Sequence, residues 1–413
     1  MKAISCWLNF QNERIGINIP RFLRNTSYIG IARMFAVGSG FLTVFAFSRF
    51  TTPEVYGKFT FLVSLVEVIA IVALPGLLNA LVYSVAKGYE GTIIPIAYER
   101  LRYGFIGSVF LVGFAAYSEI VLNNREFFVC FMAASLIFPL SNAFSLYEAF
   151  LFGKRNFRKS ATLQVISSVV VCASIITSLK INGGVVSVFL SRLIISGLLS
   201  GMFYFLILKR INHTIDPDAI LYGKKLTLLN VLSIVQGRIE LLLIPSLYSF
   251  GDLAFFYVGQ RVADEYKTIW ASLSSQMLPA LAAKKPSEAH AFALSKLKHV
   301  IIGFAVGTLF LALIIPGIFT FVLTEKYRLS IVYAELMLLT SFFSIPGAYF
   351  ETYMLSQKSV GKLAVLRFIY PVIYFGLMPF LIWGCGIKGF IYSKMGASIC
   401  YSSVSYYLAR KAS

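Results

Sequence analysis

The chain alternates long apolar stretches with short polar ones. Runs such as HVIIGFAVGTLFLALIIPGIFTFVL (299–323) are continuously apolar. Strict alternation over about ten residues would mark a membrane β-barrel. An unbroken run of about 20 apolar residues instead makes a helix that crosses a bilayer. The pattern predicts twelve helices, at about 26–48, 56–86, 103–122, 127–150, 160–180, 185–208, 226–248, 253–283, 299–323, 331–356, 363–383 and 387–408. The linkers are too short to fold as soluble domains. The longest, KRINHTIDPDAILYGKK (209–225), divides six helices from six. The expected organisation is an all-α polytopic membrane protein. Its N-lobe covers 26–208 and its C-lobe 226–408, with a cytoplasmic or interfacial segment 1–25 and a cytoplasmic tail 409–413. The first 25 residues have no apolar core segment and no small-residue cleavage site, so they do not read as a signal peptide.

Composition agrees with this reading. Of 413 residues, 58% are hydrophobic and 13% charged, and mean hydropathy is +0.78. A soluble protein averages about 25% charged residues, so a large soluble enzyme is excluded. The formal charge of +19 would suggest nucleic acid in a soluble protein. Here it follows from topology, because cytoplasmic loops gather Lys and Arg, and no nucleic-acid motif competes. With the N-terminus inside, the outside ends hold only Arg49, Lys58, Arg125, Lys180, Lys326, Arg328 and Lys388. Most other basic residues, including Lys87, Arg100, Arg102 and the cluster Lys154–Lys159, fall inside. Both termini are therefore expected in the cytoplasm. The five cysteines (Cys6, Cys130, Cys172, Cys385 and Cys400) lack metal-ligand spacing and read as small apolar packers.

The two halves share a local pattern. The second helix begins FTTPEVYGKFTFLVSLVEVIAI and the eighth YSFGDLAFFYVGQRVADEYKTI. At an offset of 198, Glu54 meets Asp252, Phe59 meets Tyr257, Glu67 meets Glu265 and Ile71 meets Ile269. Each is a short turn with an acid and a glycine, leading into a long helix with an intramembrane Glu. With six spans per half, the halves would be parallel repeats, and transporters bind substrate between such halves.

The stretch RFTTPEVYGKFTFLVSLVEVIAIVALPGLLNALVYSVAK (49–87), with its Pro53-Glu54-Val55-Tyr56-Gly57 turn, resembles the signature region of polysaccharide-biosynthesis membrane proteins. These are the O-antigen, or lipid-linked oligosaccharide, flippases of the multidrug/oligosaccharidyl-lipid/polysaccharide exporter superfamily. The turn departs from the family pattern at Val55, where an acid is common. GDLAFFYVGQRV (251–262) resembles the family's equivalent in the second half. The resemblance implies a MATE-like fold of two six-helix lobes around a central cavity. It implies translocation of an undecaprenyl-pyrophosphate-linked oligosaccharide, an O-antigen (lipopolysaccharide) or capsule repeat unit, from the cytoplasmic to the periplasmic leaflet of the bacterial inner membrane. The implied partners are this lipid-linked oligosaccharide and membrane lipid, with polysaccharide polymerase and chain-length proteins as candidates; no cofactor, metal or nucleic acid is expected.

Ionisable residues inside spans are costly, so each is a functional candidate. Six cations lie there: Arg33, Arg192, Arg238, Arg261, Lys267 and Lys394. The clearest acids are Glu67, Glu240, Asp264, Glu265 and Glu335. A diphosphate crossing hydrocarbon needs cations, and the guanidinium fork matches phosphate oxygens. Arg33, Arg238 and Arg261 are therefore the expected pyrophosphate contacts. Arg261 also has Asp264 and Glu265 at i+3 and i+4 on one face, with Lys267 off that face. Glu67, Glu240, Asp264 and Glu265 read as coupling groups or static counter-charges. Tyr257, Tyr266 and Trp270 offer faces for sugars, although aromatic residues also collect at membrane interfaces.

Nothing in the sequence points to an enzyme. His213, His290 and His299 have no zinc pattern, and there is no P-loop, G-x-S-x-G or Rossmann fingerprint. Two other functions remain open. A multidrug cation antiporter of the same fold should favour acids in its interior. A membrane polysaccharide polymerase should carry a long extracytoplasmic loop, and every outside linker here is short.

Overall fold

The computed structural model describes residues 19–209, 211–282, 286–357 and 359–410. Residues 1–18 and 411–413, and with them most of the expected N-terminal segment and the end of the tail, lie outside the described residues. The described chain is helical throughout and contains no strand. In chain order the helices are α1 (Ile19–Phe50), α2 (Pro53–Ile69), α3 (Gly76–Ala86), α4 (Ile93–Ile120), α5 (Arg125–Phe144), α6 (Leu146–Gly153), α7 (Phe157–Ile181), α8 (Val185–Leu208), α9 (Ala219–Leu247), α10 (Phe250–Ala282), α11 (Pro286–Val322), α12 (Leu329–Ser356), α13 (Val360–Cys385) and α14 (Lys388–Arg410).

Among the described residues, nine stretches are long and apolar enough to cross a membrane. The α2–α3 segment, α10 and α14 fall short of that test, although twelve spans were expected. They fail because of what they carry. The α2–α3 segment is broken, α10 contains Arg261, Asp264, Glu265 and Lys267, and α14 is rich in Ser, Tyr and Gly. A helix too polar for lipid is held by protein neighbours or faces water. The chain is a multi-pass membrane protein, and α10 and α14 are the two segments whose own polarity sets them apart from the spans.

The chain divides into two compact units. One comprises residues up to Ala46 with Leu62–Val231, and the other Phe47–Phe61 with Leu232–Ser413. The boundary near residue 231 lies inside α9. The linker residues 211–218 are bonded to the rest of the first unit: Ser84 donates to the Asp216 carboxylate at 2.7 Å, Asp216 N–H donates to Thr92 Oγ1 at 2.9 Å, and Asn212 N–H donates to Glu90 at 3.1 Å.

In the first unit, α3, α6, the start of α4 and the end of α8 bury a shared core around Leu81, Ile93, Ile96, Leu146, Phe150 and Phe203. Within lipid, helices associate through close packing and small residues more than through hydrophobic transfer. Gly104 and Gly107 of α4 accordingly lie against Pro139 and Phe138 of α5, and Ser108 donates to the Ser135 carbonyl at 2.6 Å.

In the second unit α12 packs along both α10 and α14, and α13 packs along α14. Gly259 on α10 meets the Tyr333–Ala334 backbone, and Gly347 on α12 meets Tyr401 and Ser402. The starts of α2 and α10, the pair matched by the internal repeat, pack side by side in this unit. A Cβ on Gly57 would overlap the Phe250 carbonyl, and Phe61 packs on Phe250 with ring centroids 5.7 Å apart. Each start is fixed locally. Glu54 pairs with Lys58 one turn on at 3.2 Å. Ser249 and Asp252 exchange bonds at 2.7 and 3.1 Å in a helix-capping arrangement.

Candidate functional site

Each unit holds a buried polar cluster, and the first unit's starts from breaks in its helices.

In the first unit the expected continuous helix 56–86 does not form. The backbone passes into three-residue turns, with Val72 N–H bonded to Ile69 O at 3.0 Å and Leu74 N–H to Ile71 O at 3.1 Å. The cause is Pro75, which has no N–H and disfavours helical geometry in the residue before it. Leu74 takes a φ of +57°, a conformation that costs about 1–3 kcal/mol for such a residue, while its side chain packs on the unit core. A second break follows at Ser145, between α5 and α6. Broken helices at membrane depth are tolerated where they line a cavity.

Such a cavity is present, with a volume of about 210 Å³. It is lined by Glu67 of α2 and Ala70 just after it, by Ser141, Asn142 and Ser145 of α5 and its end, and by Arg192 and Ser196 of α8. Behind Asn142 lies Arg100, 3% exposed, which donates from Nη2 to Asn142 Oδ1 at 3.4 Å. Its Nε and Nη1 are buried with no hydrogen-bond partner. This corrects the loop-charge reading. α4 begins at Ile93, ten residues before its expected start, so Arg100 lies in a helix interior instead of a cytoplasmic loop. Its neighbour Asn142 sits at the C-terminal end of α5, where helix carbonyls favour a cation.

In the second unit Glu240 on α9 is fully buried. One of its oxygens pairs with Lys394 of α14 at 2.5 Å, and the other accepts from the Tyr374 hydroxyl of α13 at 2.6 Å. Lys267 and Asp264 of α10 lie within electrostatic range of the same pair. Lys267 is half-buried and Asp264 exposed. Lys394 and Lys267 thus join the acids in one cluster, although sequence spacing left Lys267 without a role. The cluster continues along α13 and α14. Tyr370 lies one turn from Tyr374, Ser398 one turn from Lys394, and Tyr401 donates to Glu351 of α12 at 2.5 Å.

The remaining predicted residues are placed as follows. Arg33 is exposed on α1, and Arg238, Glu67 and Glu265 are half-buried. Arg261 is half-buried, its Nε enclosed without a hydrogen-bond partner, and it makes no ion pair with Asp264 or Glu265 among the described residues. Tyr257 packs edge-on against Tyr56 at 6.1 Å. Tyr266 is buried, bonded through its hydroxyl to Phe304 O at 2.7 Å and to Thr308 at 2.9 Å, and Trp270 packs on Phe304 and Tyr349. No group of three or more His, Cys, Asp or Glu that could hold a metal occurs among the described residues.

Sequence reasoning missed Arg100, Asn142, Glu351 and the tyrosines of α13 and α14. For the last group the signal was present: Arg367, Tyr370 and Tyr374 recur at i, i+3 and i+7, and Lys394, Ser398 and Tyr401 at i, i+4 and i+7. Each set is a polar stripe at helical spacing.

Solved structures similar to this chain are transporters. An inward-facing multidrug-resistance MATE family transporter of the MOP superfamily superposes with a TM-score of 0.69 at 14% identity, covering 94% of this chain and 97% of that one. The outward-facing form of a MATE family transporter gives 0.62 at 13% identity, covering 95% and 94%. A MOP-superfamily transporter from Pyrococcus furiosus Vc1, described as having a binding pocket of reversed polarity that suggests a different function, gives 0.63 at 12% identity, covering 95% of each chain. No curated protein matches the sequence. The family model described as polysaccharide biosynthesis protein matches residues 46–332. A match over most of the chain makes this protein a member of the polysaccharide biosynthesis family, and its fold is that of the MATE-type transporters.

Proposed function

We propose that the protein is a flippase. It moves undecaprenyl-pyrophosphate-linked oligosaccharide, an O-antigen or capsule repeat unit, from the cytoplasmic to the periplasmic leaflet of a bacterial inner membrane by alternating access. Both termini are cytoplasmic in this reading. The observation that carries it is the coincidence of a polysaccharide-biosynthesis family match with a transporter fold. A transporter in that pathway class would carry a glycan, and this reading assigns it the lipid-linked form.

The interior is consistent with an anionic cargo. Arg33, Arg238 and Arg261 remain the proposed pyrophosphate contacts, and the enclosed Nε of Arg261 leaves a donor for a phosphate oxygen. Glu67, Asp264 and Glu265 are proposed as coupling groups. Glu240 is a counter-charge to Lys394 at rest. Tyr257, Tyr266 and Trp270 are the proposed sugar-facing aromatics. Polysaccharide polymerase and chain-length proteins are the proposed neighbours. Similarity to multidrug transporters favours the alternative, a multidrug cation antiporter, but at such low identity it speaks to fold alone.

In cells lacking the protein, lipid-linked repeat units should accumulate on the cytoplasmic face. Their continued arrival in the periplasm, with no second flippase present, would sink the proposal. Glu67→Gln and Glu265→Gln variants should each lose surface polysaccharide at normal expression, read by immunoblot of both. Normal polysaccharide in both variants removes these acids from coupling.

A further inference from the structure

One face of α11 in the second unit is built at helical spacing. Phe292, Lys296, His299, Gly303 and Gly307 recur at i, i+4, i+7, i+11 and i+15, which stacks them in one stripe along the helix. α10 and α11 both pack along α12 but touch each other sparsely, so a groove opens between them along this stripe. Its volume is about 720 Å³, within the range of about 300–1,000 Å³ that holds a small ligand. We propose that this groove binds one anionic phospholipid, its phosphate at Lys296 and His299 and an acyl chain running past Trp270 to Gly307. The inference goes beyond the flippase reading, and it gives Tyr266 and Trp270 an apolar occupant in addition to the sugar proposed above.

The groove is apolar for most of its length and cationic at one end. α10 walls it with Tyr266, Ile269 and Trp270. The Tyr266 hydroxyl is already bonded to Phe304 O at 2.7 Å and to Thr308 at 2.9 Å, so its polar atom is engaged within the protein. Trp270 packs on Phe304 and on Tyr349 of α12, which fixes this wall. Opposite it, α11 presents two glycines. A Cβ added to Gly303 would meet nothing within 4 Å, so the space beside that residue is open. Lys296 and His299 line the other end, and both are exposed. Among the described residues that line the groove there is no acid to neutralise them. Tyr349 donates from its hydroxyl to Ala293 O at 2.8 Å, which anchors the cationic end of α11 on α12.

Length and position fit a lipid of one leaflet. Lys296 and Gly307 are eleven residues apart, a rise of about 16 Å at about 1.5 Å per residue. That is about half of the ~30 Å hydrocarbon thickness of a bilayer. The continuous apolar run begins at His299, so the two cations stand at headgroup level and the groove extends inward from them. In the topology proposed above this end is cytoplasmic, and basic pockets between membrane helices on that side hold anionic headgroups. An acyl chain gains little by leaving other chains, which are as apolar as the groove. The choice among lipids therefore rests on the headgroup. The Lys296 ammonium brings three donors to phosphate oxygens. A zwitterionic headgroup carries its own cation, which offsets that attraction, whereas phosphatidylglycerol has none.

Trp270 reports on the groove directly. The chain's tryptophans are Trp7, Trp270 and Trp383, and Trp383 is 92% exposed, so replacing it disturbs little packing. A full-length Trp7→Phe, Trp383→Phe variant keeps Trp270 as its one indole. The probes are phosphatidylglycerol and phosphatidylcholine with brominated chains, which quench a neighbouring indole. Each is assembled into nanodiscs at rising mole fraction in unbrominated phosphatidylcholine. Half-quenching of Trp270 should need about fivefold less phosphatidylglycerol than phosphatidylcholine, the advantage of one cation near an anionic lipid. Lys296→Gln with His299→Gln should erase that preference at an unchanged unfolding temperature. Gly303→Phe should fill the groove and reduce quenching by both lipids; should it prove unstable, the two exposed cation positions decide the matter alone. Equal quenching by the two lipids, a preference that survives loss of both cations, or undiminished quenching in a folded Gly303→Phe would overturn the proposal. So would relief of quenching by undecaprenyl phosphate at a lower mole fraction than by unbrominated phosphatidylglycerol, because the groove would then hold an isoprenoid. None of these outcomes bears on whether the protein moves lipid-linked glycan.

Discussion

Lys394→Ala is expected to destabilise the protein by about 3–5 kcal/mol, the usual cost of stranding one member of a buried ion pair. The Glu240 carboxylate is fully buried, and one of its two oxygens has Lys394 as its ionic partner. Removing the ammonium leaves a charge in low dielectric with the Tyr374 hydroxyl as its remaining hydrogen-bond partner. The effect belongs to the stranded charge more than to the lost contact, which gives a second expectation. Lys394→Met combined with Glu240→Leu should recover most of the loss, because an apolar replacement of both partners is often neutral or stabilising. Unfolding in nanodiscs, followed for Lys394→Met, Glu240→Leu and the double variant, measures the coupling directly. Additive losses in the double variant would mean that the pair is not the source of the cost.

Gly57→Ala is the second large effect, expected to abolish activity and to lower stability by about 1–3 kcal/mol or more through overpacking. An added Cβ would overlap the Phe250 carbonyl oxygen, which is backbone and has no rotamer to retreat to. The starts of α2 and α10 would have to separate, taking with them the Phe61–Phe250 contact. Gly38 on α1 is the matched control: nothing lies within 4 Å of an added Cβ there. Gly38→Ala in a helix interior should be neutral or stabilise by about 0.5–1 kcal/mol. Complementation of polysaccharide display and thermal unfolding should separate the two glycines. Equal effects would mean that close approach at Gly57 is not what the turn requires.

This contrast also gives a physical reason for the Pro53–Gly57 turn. The glycine is required because two helix starts, far apart in sequence, cross in one unit. The repeat alignment had already matched those two segments to each other, with Glu54 opposite Asp252. It carried no information that they touch.

Legibility followed the range of the interaction. The helical class, the short linkers and helices such as α8, whose bounds coincide with the expected 185–208, are written in local hydropathy. The α2–α3 break was signalled by Pro75 but masked by an apolar run that continues on both sides. Arg100 was mistaken for a loop charge because position-by-position hydropathy cannot distinguish a charge at a helix start from one buried against α5. The Glu240 cluster was only half legible. Its acids and Lys394 stood out as charges in apolar runs, whereas their pairing joins helices far apart in the chain, Glu240 and Tyr374 being 134 positions apart. Lys267 shows the same limit: Asp264 is a neighbour on its own helix, but Glu240 and Lys394 reach it from α9 and α14.

The central claim is leaflet-to-leaflet movement of a lipid-linked glycan, and reconstitution tests it most directly. The purified full-length protein would be placed in liposomes carrying undecaprenyl-pyrophosphate-oligosaccharide, and the glycan exposed on the outer leaflet followed with a membrane-impermeant glycosidase. A flippase makes the inner-leaflet pool accessible, so digestion should run to completion with wild-type protein. It should stop at about half in protein-free vesicles and fall well short of completion with Arg261→Gln. Digestion that stops at the same point with and without the protein would contradict the account.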